Sequence, residues 1–136
     1  MVQSSRAAEL RLRGFTEILE KAGITPQVID NPHGCSSIDI GYALSRKLFA
    51  NGCSATAIFA STDSMALGVL QAADEYGISV PDDISLLGFD NIIYSALPKI
   101  ELSTVDQRKQ LLAEATVDLL TRIIDSDEAG RVQRTA

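Results

Sequence analysis

The 136-residue sequence predicts an α/β fold with a parallel, doubly wound sheet flanked by helices. Three observations carry that prediction. Helical and extended signals alternate along the chain, the extended runs are short and apolar, and each run ends in polar, turn-forming residues. This is the pattern of strands joined by right-handed helical crossovers. Ligands of such sheets bind outside the carboxyl ends of the strands.

The elements follow in order. Ala8, Leu12, Phe15, Leu19 and Ala22 recur at steps of 4, 3, 4 and 3, which makes one helical stripe, and Gly23 is a natural stop. Pro26 to Asp30 reads as a short strand, and Asn31 to Ser36, with Pro32, His33 and Gly34, as a turn. Ser36, with Asp39 three residues on, is the expected N-cap of a helix running from Ser37 to Ala50, ended by Asn51-Gly52. Thr56 to Ala60 is a buried strand. Thr62 or Asp63 then caps a helix from Ser64 to Tyr76, which stops at Gly77. Ile84 to Phe89 is the next strand and delivers Asp90 and Asn91 at its end. Ile100 to Val105 is a further strand, and Gln107 to Ile124 a helix. Residues 1–125 form one domain in this reading, and 126–136 a polar tail.

Composition excludes several classes. With 46% hydrophobic and 22% charged residues the chain is globular rather than disordered. Its net charge of -6 makes it a poor DNA binder on its own, because such affinity rests on Lys and Arg neutralising phosphates. No stretch approaches the ~20 apolar residues of a membrane span, and the first ten residues lack a signal-peptide core. The expected location is cytoplasmic. Cys35 and Cys53 bracket the second helix, so their Cα atoms lie ~20 Å apart, too far for a disulfide. Both are read as reduced thiols. One histidine and no Cys-x-x-Cys spacing argue against a zinc site, and no phosphate loop of the Gly-x-x-x-x-Gly-Lys or Gly-x-Gly-x-x-Gly type occurs. No cofactor is expected.

The candidate site residues are those at strand ends. Asp90 follows an apolar strand directly; its carboxylate suits two adjacent sugar hydroxyls or a cation, and equally a cap on the following turn. Thr62 and Asp63 open a helix at the crevice, as caps, ligand contacts or both. Arg11 falls ~60° from the centre of the first helix's apolar stripe and Arg13 ~140° away. Arg11 thus flanks the buried face, where it either snorkels or reaches the crevice. His33 has no partner at a signature spacing, so no triad is supported and no enzyme is expected. On the third helix Met65, Ala66, Val69, Leu70, Ala72, Ala73 and Tyr76 cover one side, and Leu67 widens the arc beyond what one sheet face needs. The surplus points to a subunit interface or to cover from the same chain.

Three runs, Ala57-Ile-Phe-Ala-Ser-Thr-Asp63-Ser-Met65-Ala66-Leu-Gly68, Val80-Pro81-Asp82-Asp83-Ile-Ser-Leu-Leu-Gly88-Phe89-Asp90-Asn91 and Leu102-Ser-Thr-Val-Asp-Gln107, resemble the lac repressor/galactose repressor family. Arg11-Leu-Arg-Gly14-Phe15 and Ala22-Gly23-Ile24 fit the same family, and the resemblance covers about residues 4–125. It implies one lobe of a type I periplasmic-binding-protein-like fold: the second lobe of an effector domain plus the crossover to a first lobe that has no counterpart here. It also implies a bacterial transcriptional regulator whose helix-turn-helix head is absent from this chain, so that DNA is a partner only of the full-length protein. A strand expected before Ser4 is missing as well.

Residue by residue, the resemblance implies that Arg11 and Asp90 contact a small-molecule effector of the sugar class. Asp63 matches the helix-opening Asp, while Thr62 stands where the family usually has Asn. Ser36 replaces an aromatic stacking residue of some members, and Gln107 matches a crevice position near the hinge. Leu67 and its helix, Leu70 included, match a dimer surface, which implies a homodimer or higher oligomer. The alternative of the same fold is a fragment of a periplasmic-type sugar-binding protein of a transporter.

Overall fold

A computed structural model of the chain describes residues 6–31 and 34–125. The turn residues Pro32 and His33 and the tail 126–136 lie outside the described residues. Two units are distinguished, one ending at Val105 and one beginning at Asp106, a division that falls inside the single domain expected to run to 125.

The first unit contains α1 (Arg6–Lys21), α2 (Ile38–Ala50), β1 (Ala57–Phe59), α3 (Asp63–Glu75), β2 (Ser85–Phe89), a 3-10 turn η1 (Ile93–Ala96) and β3 (Ser103–Val105). The strands form a parallel sheet in the order β1-β2-β3, with Ile58 opposite Leu86 and Gly88 opposite Thr104. Parallel pairing bears out the fold class read from the sequence.

Side chains alternate across a strand, and the two sheet faces are covered differently. Leu86 and Gly88 are buried on the face that α3 covers. There Ala60, Ala66, Val69, Ala72, Ala73, Ile84, Leu86 and Leu102 form the core together with Phe49 from α2. The opposite face carries Phe59, Leu87 and Phe89 and meets α1: Phe15 stacks on Phe59 with ring centroids 4.7 Å apart. Such a pair adds roughly 0.5–1.5 kcal/mol beyond its area burial.

One helix cap differs from expectation and another settles an open choice. Ser37, not Ser36, is the N-cap of α2; its Oγ accepts the Ile40 N–H at 3.3 Å. Ser36 stands one residue outside the cap and is exposed. At α3 the open choice resolves to Thr62, whose Oγ1 accepts the Met65 N–H at 3.3 Å. The carboxylate of Asp63 is thereby released for other work.

The surplus apolar face of α3 is largely covered by α2. Gly41 and Gly68 lie at the crossing, where a Cβ on Gly41 would collide with the Met65 backbone and one on Gly68 with Ile38 and Tyr42. Phe49 meets Tyr76 at 6.0 Å between ring centroids. Leu70 packs against the core and Leu67 is half-buried.

The expected strand at Pro26–Asp30 does not form: the segment is extended but unpaired in the described sheet, with Val28 56% and Ile29 44% exposed. Both cysteines are free thiols, as expected. The second unit carries α4 (Lys109–Asp125), every residue of which is exposed. Among the described residues no helix is long and apolar enough to cross a membrane.

Candidate functional site

The carboxyl ends of β1 and β2 bring together the residues with most chemistry. Arg11 reaches them from α1. Its Nη1 donates to the Ser61 carbonyl at 2.7 Å, just past β1, and its Nη2 lies 3.1 Å from Asp90 Oδ1, just past β2. The guanidinium carbon sits 4.0 Å above the Phe89 ring, close enough for a cation–π contact. Arg11 and Asp90 are 16% and 24% exposed at the side chain. The pair is thus mostly, but not completely, buried at the strand ends.

This placement refines the helical angle read from the sequence. The covered residues of α1 are Ala8, Arg11, Phe15, Thr16 and Leu19, while Leu12 is 43% exposed. The helix is rotated so that Arg11 lies on the covered face instead of flanking it. The cause is physical: a carbonyl, a carboxylate and an aromatic ring wait beneath Arg11, and only a cation satisfies all three.

Asp90 occupies an unusual backbone. It has φ 115° and the following Asn91 has φ 50°. Asn and Asp tolerate positive φ better than other non-glycine residues, yet each such residue costs of order 1–3 kcal/mol and persists only when its surroundings over-determine it. The surroundings do. The Asp90 N–H donates to Val105 O at 3.0 Å, the Asn91 N–H to Thr104 Oγ1 at 3.3 Å, and the Ile92 N–H to Asp63 Oδ2 at 2.9 Å.

Asp63 is fully buried. Its Oδ2 also accepts the Ser95 hydroxyl at 2.7 Å, and its Oδ1 the Thr104 hydroxyl at 2.5 Å. A buried carboxylate is tolerable only when hydrogen-bonded in this way. Asp63 therefore lies beneath the corner after β2 and presents no surface there; the ligand contact expected of it is corrected to an internal one. Thr62 is committed to its cap. Ser36 is exposed on the segment leading into α2. Gln107 belongs to the second unit, where it is exposed ahead of α4.

Of the six expected ligand residues, then, the structure joins Arg11 directly to Asp90 and sets Asp63 under them. Sequence reasoning assigned no role to Ser61, Phe89, Ser95 or Thr104. Phe89 and Thr104 stand inside the quoted motifs, so the signal was present. Ser61 acts through its carbonyl, which leaves no trace in residue type. Among the described residues no group of three His, Cys, Asp or Glu side chains is placed to hold a metal ion.

A family model described as a periplasmic binding protein-like domain matches residues 2–135. The chain belongs to that family. Within it the resemblance to the lac repressor/galactose repressor regulators is borne out by the relatives. The HTH-type transcriptional repressor PurR of Edwardsiella ictaluri is 36% identical over 116 residues, covering 85% of this chain and 34% of that protein. The repressor of the same name from Pectobacterium carotovorum is 33% identical over 132 residues, covering 96% and 39%.

Among solved structures, a LacI-family transcriptional regulatory protein from Corynebacterium glutamicum aligns with TM-score 0.81 at 31% identity, over 90% of this chain and 46% of that one. The lac repressor dimer bound to operator and the anti-inducer ONPF aligns with TM-score 0.78 at 31% identity, over 86% and 35%. These relatives favour a regulator over a transporter component. The chain spans little more than a third of the length of the PurR relatives.

Proposed function

We propose that this chain is the effector-binding and dimerising portion of a cytoplasmic bacterial transcriptional regulator, and that it binds and does not catalyse. The observation that carries the reading is the Arg11–Asp90 pair, part-buried at the carboxyl ends of a parallel sheet. The similarity to transcriptional repressors supports it.

The chemistry of the pair suggests the ligand. A guanidinium donates and a carboxylate accepts, and together they carry no net charge. An uncharged molecule presenting neighbouring hydroxyls satisfies both groups, so the effector is a sugar or a comparable polyol. In the longer protein, closure of two lobes on the effector alters the spacing of paired DNA-binding heads. DNA is then a partner of the longer protein, through those heads. Dimerisation uses what α2 leaves uncovered of the α3 surface around Leu67 and Leu70.

Thermal unfolding of the chain with a panel of sugars and nucleosides tests this. A ligand that binds only the native state at 100 times its Kd stabilises it by about 2.7 kcal/mol, which in a domain of this size raises the midpoint by several degrees. The expected result is a rise with a sugar that disappears in Asp90→Asn. Tight, sequence-specific operator binding by this chain alone would overturn the reading.

A further inference from the structure

The corner that carries Asp90 is held by a chain of hydrogen bonds that ends on one buried carboxylate. Three consecutive N–H groups, those of Asp90, Asn91 and Ile92, have separate acceptors: Val105 O, Thr104 Oγ1 and Asp63 Oδ2. The Thr104 hydroxyl that accepts from Asn91 donates its own proton to Asp63 Oδ1. Two of the three holds therefore depend on Asp63, which has no exposed surface of its own. Gly88 shares the arrangement, because a Cβ there would collide with Asp63 Oδ1.

We propose that Asp63 is a positioning residue: it holds Ile92 directly and Asn91 through the Thr104 hydroxyl, and so fixes the positive-φ corner that aims the Asp90 carboxylate at Arg11. The proposal rests on the reading of Arg11 and Asp90 as the ligand pair. It separates two acids of the same crevice by role. Asp90 meets the ligand, and Asp63 sets the angle at which Asp90 does so. Ser95, which also donates to Asp63, ties η1 to the same carboxylate but is not in the path to Asn91.

Nuclear magnetic resonance of the 136-residue chain tests this without any ligand. Two signals report the geometry. The Arg11 Nε–H resonance feels the ring current of Phe89, 4.0 Å from the guanidinium carbon, and the Asn91 amide exchange rate reports its bond to Thr104. Thr104→Val keeps the shape and removes the relay. It is expected to speed Asn91 exchange at least about fivefold relative to the amides of β2, the loss of one hydrogen bond, and to move the Arg11 resonance toward its unstructured position. Thr104→Ser restores both. Gly88→Ala, which displaces the carboxylate, reproduces the Thr104→Val spectrum at the corner.

If Thr104→Val lowers the melting midpoint but leaves both signals at their wild-type values, Thr104 and Asp63 are merely structural and the proposal fails. Ser95→Ala is the matching control: it costs stability and leaves Asn91 exchange unchanged. A chain with intact signals whose melt does not respond to D-galactose or D-ribose would count against the sugar reading alone.

Discussion

Arg11 is held by three partners of different kinds, and each limits what can replace it. Alanine leaves the Ser61 carbonyl without its donor and the Asp90 carboxylate without its cation. Hydrogen bonds to charged groups are worth about 1.5–3 kcal/mol, and partial exposure puts Arg11→Ala toward the lower end, about 1–2 kcal/mol by urea unfolding. Arg11→Lys keeps the charge but loses the planar fork that spans a carbonyl and a carboxylate at once, so it recovers only part of that loss. None of the three partners is near Arg11 in sequence, which is why helical spacing placed it only beside the covered face. The Gly-Phe-Asp motif did expose Asp90, because a polar residue at the end of an apolar strand is a local signal.

A second residue-scale prediction concerns Tyr42 on α2. Its hydroxyl donates to Glu75 Oε2 at 2.6 Å, and that bond raises the phenol above its ordinary value of about 10, with desolvation adding to the rise and Arg46 opposing it. The fold favours the protonated phenol. Its contribution to stability is complete below the ordinary value and is lost as pH rises through the raised one. Spectrophotometric titration is expected to show a late-ionising tyrosine that is absent in Tyr42→Phe and shifts to lower pH in Glu75→Gln.

At the scale of elements, helices declared themselves and strands did so only in part. Helix limits are written in local chemistry: Thr62 ahead of α3, Gly77 behind it, Asn51-Gly52 after α2. A strand exists only when a neighbour takes its N–H and C=O groups. The run Gln27-Val28-Ile29 has apolar β-formers, but no described strand pairs with it, and it stays extended and exposed. The turn η1 was invisible for a related reason. It has no side-chain cap, and Asp63, thirty-two positions from Ser95, helps hold it.

The α2–α3 contact gives a sharp test at this scale. Glycine in a helix interior is roughly 0.5–1 kcal/mol worse than alanine in isolation, so Gly41→Ala and Gly68→Ala would stabilise each helix alone. In the folded chain each added Cβ meets backbone that cannot move aside without parting the helices. Overpacking of that kind typically costs 1–3 kcal/mol, and rigid backbone on both sides puts these substitutions at the upper end. Chemical denaturation checks the sign: a variant more stable than wild type would mean that the two helices do not cross as closely as described.

For the whole molecule the open question is what the second unit does with α4. Leu112, Leu119 and Ile123 recur on one side of it, with Val117, Leu120 and Ile124 beside them, and all six are exposed, from 37% at Ile123 to 72% at Ile124. Such a stripe is a local pattern that the sequence carries by itself; what it packs on is not written locally. Monomeric soluble proteins rarely leave so continuous an apolar stripe in water, and a second copy of the chain offers an equivalent stripe to bury it against. The chain is therefore expected to associate. Light scattering at high micromolar concentration should give a mass at least twice 14.6 kDa, and Leu112→Lys with Leu119→Glu should lower that mass while the Asn91 and Arg11 signals of the first unit stay in place. A monomer mass for the unmodified chain at that concentration would show that neither the stripe of α4 nor the α3 surface around Leu67 and Leu70 associates in this chain.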